Sequence, residues 1–443
     1  MINKDTFDNG FHIVHEKPLS NLPITSIQLF CDYGSAYEKD GVRGAAHFIE
    51  HMCFKGTRKI PNGKEIFTHY NKIGAYFNAN TERRYTRYTI TCEDDYVNNC
   101  MYILSDMLMN STFNKKEFEK EKKVVVEENI RNEDDASDII DVNMNKLLYN
   151  GSSYAHEIDT LLFHNTKTLN YNDVFEMYKM FYVPNRMVLS IVSNISYQKI
   201  NDALKRTYFY KAPKICNFNY NKYQKITMFS KQDKIEYNIQ SKKGLTTLHL
   251  SIGFRTSPYN SNDKYILNLL SNIIGGNTSS RLFTMLRQDN GLTYKSNCYT
   301  NYYEHLGDLT IEIETDYRKI LKDGNKKGII PLVIGILNDL IKKGVSQSEL
   351  INTKTNLKGS MTLDLQNVET SAFHNGLDML MENDTQISYI DLYDKCYSSI
   401  TKKQINEMIR KYFIKENMSV CLLGEHVPPI EKVKEECEKL CKK

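Results

Sequence analysis

Three features that would identify common classes of protein are absent from this 443-residue sequence. Its ten cysteines include no Cys-x-x-Cys pair, so neither a disulfide framework nor a thiolate zinc knuckle is indicated. No apolar run reaches the roughly 18 residues that a transmembrane helix requires. The net charge is only +4, with both signs mixed along the chain, which does not favour binding to nucleic acid or to a membrane surface.

The first residues also lack the marks of a targeting sequence. The stretch "MINKDTFDNGFHIVHEK" has no apolar segment like that of a secretory signal peptide, and it is not rich in Arg and Ser like a transit peptide. Together with the scattered cysteines, this predicts an intracellular protein in a reducing compartment, most simply the cytoplasm. A mitochondrial or related organelle stays open as an alternative, although no presequence is visible.

A faint internal repeat predicts that the chain is duplicated. The stretch "IQLFCDYGSAYE" (27–38) resembles "LHLSIGFRTSPY" (248–259), and "FEMYKMFYVPNRMVLSIVSNIS" (175–196) resembles "INEMIRKYFIKENMSVCLLGEH" (405–426). Each pair combines an apolar strand with a helix, and the two pairs are separated by similar distances along the chain. We therefore predict a duplicated α+β unit, with chance similarity of two helix–strand units as the alternative.

The chain is also longer than the roughly 250–300 residues over which one core usually extends. Between the two repeats lies a polar stretch without a clear hydrophobic period, and we interpret residues 214–234 as a linker. The predicted domains are therefore an N-terminal domain at 1–213 and a C-terminal domain at 235–443.

The stretch "GAAHFIEHMCFKGT" (44–57) contains two histidines four residues apart, and glycines on both sides bound a helix of about ten residues. Residues four apart lie on one face of a helix, so His47 and His51 can bind one metal ion through their imidazole nitrogens. Glu50 lies close to that face and can approach a metal-bound water. Catalytic zinc takes three protein ligands and keeps one position for water. The motif therefore predicts a zinc site whose third ligand lies elsewhere, with a coincidental match as the alternative.

A third ligand is expected in "FNKKEFEKEKKVVVEENIRNEDD" (113–135). This stretch predicts a helix that begins at a capping box of Asn114 and Glu117, ends at about Asn129 and carries several glutamates. Three successive valines at 124–126 indicate that this part of the helix is buried, and a carboxylate in such a place needs a partner. Glu121 and Glu128 are two turns apart and share a face. Glu127 stays open as an alternative, and most helical glutamates simply face solvent.

His-x-x-Glu-His, followed after residues 52–127 by a glutamate, resembles the motif of the M16 inverzincin peptidases. This family includes insulin-degrading enzyme, pitrilysin and the mitochondrial processing peptidases, and the chain resembles the beta subunit of the latter and short bacterial members (M16B-like). The resemblance implies a zinc metalloendopeptidase with one Zn²⁺ per chain. It implies three metal ligands, His47, His51 and Glu128. It also implies that Glu50 is the general base and that Glu121 supports the ligand shell.

A second segment, "NKIGAYFNANTERRYTRYTI" (71–90), resembles the Gly-x-x-x-Asn-Ala-x-Thr segment of the family. The resemblance implies that Asn78 and Ala79 bind the peptide as an added strand. The segment leads into "YTRYTI", whose alternation predicts a strand, and we expect this to be the edge strand that pairs with the substrate.

A third segment, "GGNTSSRLFTMLRQDNGLTYKSN" (275–297), resembles the second-half signature of the family. The resemblance implies that Arg287 and Tyr294 stabilise the oxyanion at the scissile carbonyl. The second half has no His-x-x-Glu-His, and its equivalent helix, "YILNLLSNII" (265–274), is apolar. We therefore expect one site per chain, with the second half as an inactive repeat.

The resemblance implies an α+β fold of two structurally similar α/β-sandwich domains, the LuxS/MPP-like metallohydrolase fold, with mostly antiparallel sheets and helices packed on one face. Long-chain members enclose peptides in a chamber of four such domains, whereas this chain has two. A homodimer, or a heterodimer with a second M16 chain, is therefore expected, acting on short or unfolded peptides, presequence-like ones among them. One alternative is a non-catalytic core or scaffold subunit of the same fold. Another is a metal-storage or sensor module, in which Glu50 would have no role.

Overall fold

The computed structural model of the chain describes residues 2–158, 169–214, 226, 231–323, 326–381 and 386–441. Most of the predicted linker at 214–234 lies outside these residues. The described strands are β1 (Ile2–Thr6), β2 (His12–Glu16), β3 (Ile24–Cys31), β4 (Tyr76–Thr81), β5 (Thr86–Glu93), β6 (Met187–Val192), β7 (Glu236–Ser241), β8 (Leu248–Thr256), β9 (Thr293–Tyr302), β10 (Gly307–Thr315), β11 (Lys322–Asp323), β12 (Lys326–Lys327) and β13 (Met418–Gly424).

The α-helices of the described residues lie between and after these strands. They are α1 (Ala45–Cys53), α2 (Gly63–Lys72), α3 (Val97–Met109), α4 (Lys115–Asp134), α5 (Ala136–Leu148), α6 (Tyr171–Phe181), α7 (Tyr197–Leu204), α8 (Tyr208–Lys211), α9 (Asp263–Ser271), α10 (Ile329–Lys343), α11 (Gln347–Asp364), α12 (Val368–Leu380), α13 (Tyr389–Leu392), α14 (Lys402–Tyr412) and α15 (Ile430–Cys437). Wider π-helical turns occur at Asn272–Gly276, Phe283–Gln288 and Tyr393–Tyr397. Among the described residues, no helix combines the length and apolarity needed to cross a membrane.

The chain forms two compact units, and the first contains a six-stranded sheet in the order β1-β2-β6-β3-β5-β4. Strands β2 and β6 run parallel, and the other pairs are antiparallel. Alternation along β3 points Ile27 and Leu29 to one face, where they join Phe48 and Met52 of α1 in the hydrophobic core. Helix α1, which carries His47 and His51 and is called the metal-motif helix below, therefore packs against the sheet through its apolar side.

The other face of this sheet is covered by α12, which comes from the second half of the chain. Phe30 and Val188 point to this face and form a smaller apolar cluster with Leu380 of α12. At Gly376 an added Cβ would lie only 2.2 Å from a ring carbon of Phe30. A residue with a side chain at this position would therefore push the helix off the sheet.

The second unit repeats this arrangement with a five-stranded sheet in the order β7-β13-β8-β10-β9. Its β7 and β13 run parallel, like β2 and β6 of the first unit. Helix α5, which comes from the first half of the chain, packs on this sheet, and Asn143 of α5 donates a hydrogen bond to Gln240 at 2.8 Å. The predicted fold class, two similar α+β units with mostly antiparallel sheets packed against helices, is confirmed.

The two units do not coincide with two continuous halves of the sequence. The first contains Met1–Arg131, His156–Thr227 and Met361–Leu392, and the remaining segments form the second. Each unit therefore includes a segment from the other half of the chain. Boundaries at 213 and 235 remain a prediction about the sequence repeat, because the pattern of a local segment does not reveal which distant sheet it will cover.

Candidate metal centre

Helix α1 places the two histidines of the motif on one face, as the spacing predicts. Phe48, Ile49 and Met52 are fully buried on its other side. The Nε2 atoms of His47 and His51 lie 3.1 Å apart. Two ligand atoms of a tetrahedral zinc ion, each about 2.0–2.1 Å from the metal, would be separated by about 3.3 Å. The two imidazoles are therefore spaced to bind one ion.

Glu128, in the last turns of α4, brings a carboxylate to the same place. Its Oε2 lies 3.5 Å from Nε2 of His51 and 3.9 Å from Nε2 of His47. One ligand atom from each of these three residues lies within 4.8 Å of the others. The side chain of Glu127 is exposed, so Glu128 is the glutamate of the two that meets the histidines. Two imidazoles and one carboxylate form a donor set typical of catalytic zinc, so this cluster fits such an ion.

Glu121 supports one of the two histidines from the side opposite the cluster. Its side chain is 3% exposed, and its Oε1 lies 2.9 Å from Nδ1 of His51. The other oxygen accepts from Lys55 at 2.6 Å. Burial disfavours the charged forms of Glu121 and His51, but their hydrogen bonds outweigh this effect. The pKa of Glu121 is lowered by His51 and Lys55, and the pKa of His51 is raised to about 9 by Glu121 and Glu128.

The burial of this part of α4 differs from the sequence-based prediction. Of the three successive valines, Val125 is 3% exposed, whereas Val124 is 44% exposed. The prediction was therefore wrong for Val124, because successive residues of a helix point in directions about 100° apart. The buried carboxylate of Glu121 lies four residues before Val125 and shares its face.

Glu50, the predicted base, is 9% exposed. Its Oε2 accepts a hydrogen bond of 2.7 Å from the hydroxyl of Thr81, the last residue of β4. This contact joins the metal-motif helix to the edge of the sheet. Neither this bond nor the one between Lys55 and Glu121 is indicated by the sequence. Thr81 is the threonine of the Gly-x-x-x-Asn-Ala-x-Thr segment, but the segment does not reveal its partner, and a lysine carries no metal-site signal of its own.

The segment that contains Asn78 and Ala79 forms β4, the edge strand of the first sheet. The prediction that "YTRYTI" is the edge was wrong, because all of that stretch except Tyr85 belongs to β5, which pairs with β3 on one side and β4 on the other. Alternation indicates a half-buried strand but not its neighbours. In β4 the side chain of Asn78 accepts a hydrogen bond from the backbone N–H of Ala79 at 2.9 Å.

The structure also brings together Arg287 and Tyr294, both in the second unit. Arg287 lies in the π-helical turn Phe283–Gln288, and Tyr294 lies near the start of β9. A guanidinium nitrogen of Arg287 donates to the carbonyl of Tyr294 at 3.0 Å, and the guanidinium carbon lies 5.0 Å from the ring centroid. Tyr294 is largely exposed to solvent, at 89% of the residue's surface.

Known proteins are similar to this chain in sequence and in fold. The chain is 30% identical over 422 residues to the "uncharacterized zinc protease YmxG" of Bacillus subtilis, across 94% of this chain and 97% of that protein. It is 24% identical over 349 residues to the beta subunit of the mitochondrial-processing peptidase of Dictyostelium discoideum, across 73% of this chain and 72% of that protein. The crystal structure of a protease from Helicobacter pylori superposes with a TM-score of 0.87 at 19% identity, covering 96% of this chain and 99% of that one.

Two models of one peptidase family match successive parts of the sequence. Residues 19–161 match the model described as "Insulinase (Peptidase family M16)", and residues 168–357 match the "Peptidase M16 inactive domain". The first match contains the histidine motif and Glu128, and the second contains Arg287 and Tyr294. With the long alignment to the Bacillus protein, these matches confirm the predicted resemblance, and the chain belongs to peptidase family M16.

Proposed function

We propose that this chain is a zinc-dependent metalloendopeptidase that cleaves short or unfolded peptides. The observation that carries the proposal is the cluster of His47, His51 and Glu128, with Glu50 on the same helix bonded to the edge strand β4. A metal site, a carboxylate and a template for an extended peptide thus adjoin one another. The names of the relatives, zinc protease and processing peptidase, support the same activity.

In this proposal His47, His51 and Glu128 hold one Zn²⁺ per chain. When bound, the ion lowers the pKa of a water molecule and polarises the scissile carbonyl. Glu121 accepts the Nδ1–H of His51 and thereby fixes the tautomer in which the Nε2 lone pair faces the ion. Lys55 in turn holds Glu121 through its other oxygen.

Glu50 is the proposed proton carrier. Its carboxylate takes a proton from the attacking water and then delivers it to the nitrogen of the leaving amine. The hydrogen bond from Thr81 holds this carboxylate in one orientation beside the edge strand. A peptide added to β4 as a further strand would therefore lie next to the group that moves the proton.

Asn78 and Ala79 of β4 are proposed to dock that peptide, and Arg287 and Tyr294 to stabilise the oxyanion at its scissile carbonyl. The high exposure of Tyr294 suits a side chain that reaches a bound substrate. We further propose that two M16 chains, identical or different, assemble to close a chamber around the peptide. A closed site would exclude water and strengthen the electrostatic interactions of these groups.

The proposal is tested by digestion of a mixture of unstructured peptides by the purified chain, with the products identified by mass spectrometry and the zinc content measured in parallel. Cleavage should stop when a chelator removes the metal and return when zinc is added back. Cleavage that persists in metal-free protein would contradict the proposal. Full zinc occupancy without cleavage, alone or with a second M16 chain, would favour the alternative of a non-catalytic scaffold subunit.

A further inference from the structure

A buried carboxylate of the first unit, Glu38, lies outside the proposed zinc site. It is 1% exposed, and burial raises the pKa of Glu38, whereas hydrogen bonds from the backbone at Ala46 and Gly44 favour the ionised form and lower it. A carboxylate in such a place is costly unless its oxygens are satisfied.

Both oxygens of Glu38 meet the beginning of the metal-motif helix. Oε2 accepts the N–H of Gly44 at 2.7 Å, and Oε1 accepts the N–H of Ala46 at 2.6 Å. The first N–H groups of a helix have no partner within it. The N-cap residue, Gly44, adopts the left-handed conformation with φ of 86° and has no side chain that could cap them. Glu38 caps these groups from outside the helix, and one of them belongs to Ala46, the residue before His47.

The other end of the segment that carries Glu38 is hydrogen-bonded to the turn between β4 and β5. The N–H of Ser35 donates to the carbonyl of Glu82 at 3.3 Å, and that of Ala36 donates to the carbonyl of Arg83 at 2.9 Å. Glu82 and Arg83 form the turn that follows β4. At Gly34 an added Cβ would lie 2.2 Å from the carbonyl oxygen of Glu82, so the backbones approach as closely as they can.

Residues 34–38 therefore link two parts of the proposed site. One end is bonded to the turn after the peptide-docking strand β4, and the other end is bonded to the first turn of α1. We propose that Glu38 is a positioning residue that fixes α1 relative to β4 and so sets the position of the metal ligands against a docked peptide. The inference rests on the proposed function, and Glu38 acts through backbone N–H groups rather than on the substrate.

The test compares Glu38→Gln with Glu16→Gln. Glutamine keeps the shape of Glu38 but turns a donor NH2 towards one of the two backbone N–H groups. Glu16 is a matched control, because it is also 1% exposed in the first unit and is bonded to Asn375 and Ser388 rather than to α1. Zinc affinity is measured by competition with a chromophoric chelator, the ligand geometry by the visible spectrum of the Co²⁺-substituted protein, and kcat and KM with a cleaved peptide.

For Glu38→Gln we expect zinc affinity about 10-fold weaker, as for other residues that orient metal ligands, together with a changed Co²⁺ spectrum and a fall mainly in kcat. Glu16→Gln should lower the unfolding temperature but leave zinc affinity and the Co²⁺ spectrum unchanged. Gly34→Ala disturbs the segment 34–38 at its other end and should have the same effects as Glu38→Gln. It replaces Glu38→Gln in the test if that variant does not fold.

The inference is overturned if Glu38→Gln or Gly34→Ala folds and keeps the zinc affinity, Co²⁺ spectrum and kcat of the wild type. That result would leave the proposed function intact. Equal changes in Glu38→Gln and Glu16→Gln would also overturn the inference, since they would show only a general effect of altering a buried carboxylate. Wild-type protein that binds no zinc would contradict the proposed function and the inference with it. The two failures are therefore distinguishable.

Discussion

Oε1 of Glu121 lies 2.9 Å from Nδ1 of His51, while Nε2 of the same ring lies 3.1 Å from Nε2 of His47. One imidazole thus faces a buried carboxylate with one nitrogen and the candidate metal position with the other. A histidine whose Nδ1–H is held in this way presents its Nε2 lone pair to a metal. Glu121 and Glu128 lie on one face of α4 but meet this ring on opposite sides, so their contributions can be separated by experiment.

We predict that glutamine substitutions at three positions of α4 affect zinc binding to different extents. Glu128→Gln should remove most of the zinc, because it removes a charged ligand. Glu121→Gln should weaken binding by roughly 10-fold or more, as expected for a residue that orients a ligand. Glu127→Gln, the matched control with an exposed side chain, should bind zinc like the wild type. Metal analysis after dialysis against a weak chelator decides this, and loss of zinc from Glu127→Gln alone would refute the assigned ligand.

We predict that Glu50→Gln retains zinc and loses activity. The substitution keeps the shape of the side chain and its bond partner Thr81, but an amide does not accept the proton of the attacking water. The rate of peptide cleavage should fall at least about 100-fold, the usual scale for the loss of general-base catalysis. Zinc content and circular dichroism are measured on the same sample. A variant that cleaves at nearly the wild-type rate would show that Glu50 is not the base.

The proposed assembly predicts complementation between two inactive variants. One carries Glu50→Gln, and the other carries Arg287→Ala together with Tyr294→Phe. If Arg287 and Tyr294 of one chain complete the zinc site of a second copy, mixed dimers contain one intact site. Activity should then return on mixing to about half that of the wild type per mixed dimer, given closed two-fold pairs. Mass spectrometry of labelled chains verifies subunit exchange, and exchange without recovered activity would argue for action within one chain or for a different partner.

Each compact unit includes a segment from the other half of the chain. We therefore predict that residues 1–213 do not fold stably alone. Without α12, the face of the first sheet that carries Phe30 and Val188 is exposed to water. We expect this fragment to aggregate, and coexpression with residues 214–443 to restore soluble protein with zinc affinity. A peptide of residues 361–392 should give partial rescue, whereas the same peptide with Gly376→Leu should not. A soluble 1–213 fragment with a cooperative unfolding transition would contradict this prediction.

A second buried carboxylate predicts a pH dependence of stability. Asp308 of the second unit is fully buried, and burial raises the pKa of Asp308 to about 6 from 3.8, although Tyr149, Thr310 and Asn301 donate hydrogen bonds to it. At a pH between the pKa of 3.8 in the unfolded chain and the pKa of about 6 in the folded protein, Asp308 is protonated in the folded protein but ionised in the unfolded chain. The stabilisation is therefore complete below the lower value and is lost as the pH rises through the upper one.

For this group alone, the free energy of unfolding should fall by about 3 kcal/mol across that window, since each pKa unit corresponds to about 1.4 kcal/mol. Urea denaturation of the wild type and of Asp308→Asn at several pH values measures it as the difference between the two curves. Parallel curves from pH 4 to pH 7 would contradict the prediction.

Local sequence patterns are sufficient to predict the parts of the site that depend on helix geometry. Two histidines four residues apart must share a face of α1, and Glu121 and Glu128, two turns apart, must share a face of α4. The helix and strand patterns likewise indicated a duplicated α+β chain, and the motifs indicated the family. These features are encoded within a few residues, because helical and strand periods are fixed by backbone geometry.

Long-range packing establishes which strand is the edge, which helix covers which sheet and which polar groups are in contact. Strands β4 and β5 are both partly polar, and their places follow from strand pairing. β5 pairs with β3, and β4 pairs with β5 at the edge of the sheet. The bonds of Glu38 to α1 and of Lys55 to Glu121 join residues whose types are common on any surface. Burial turns such residues into parts of a site, and burial depends on contacts between segments far apart in the sequence, which no local pattern records.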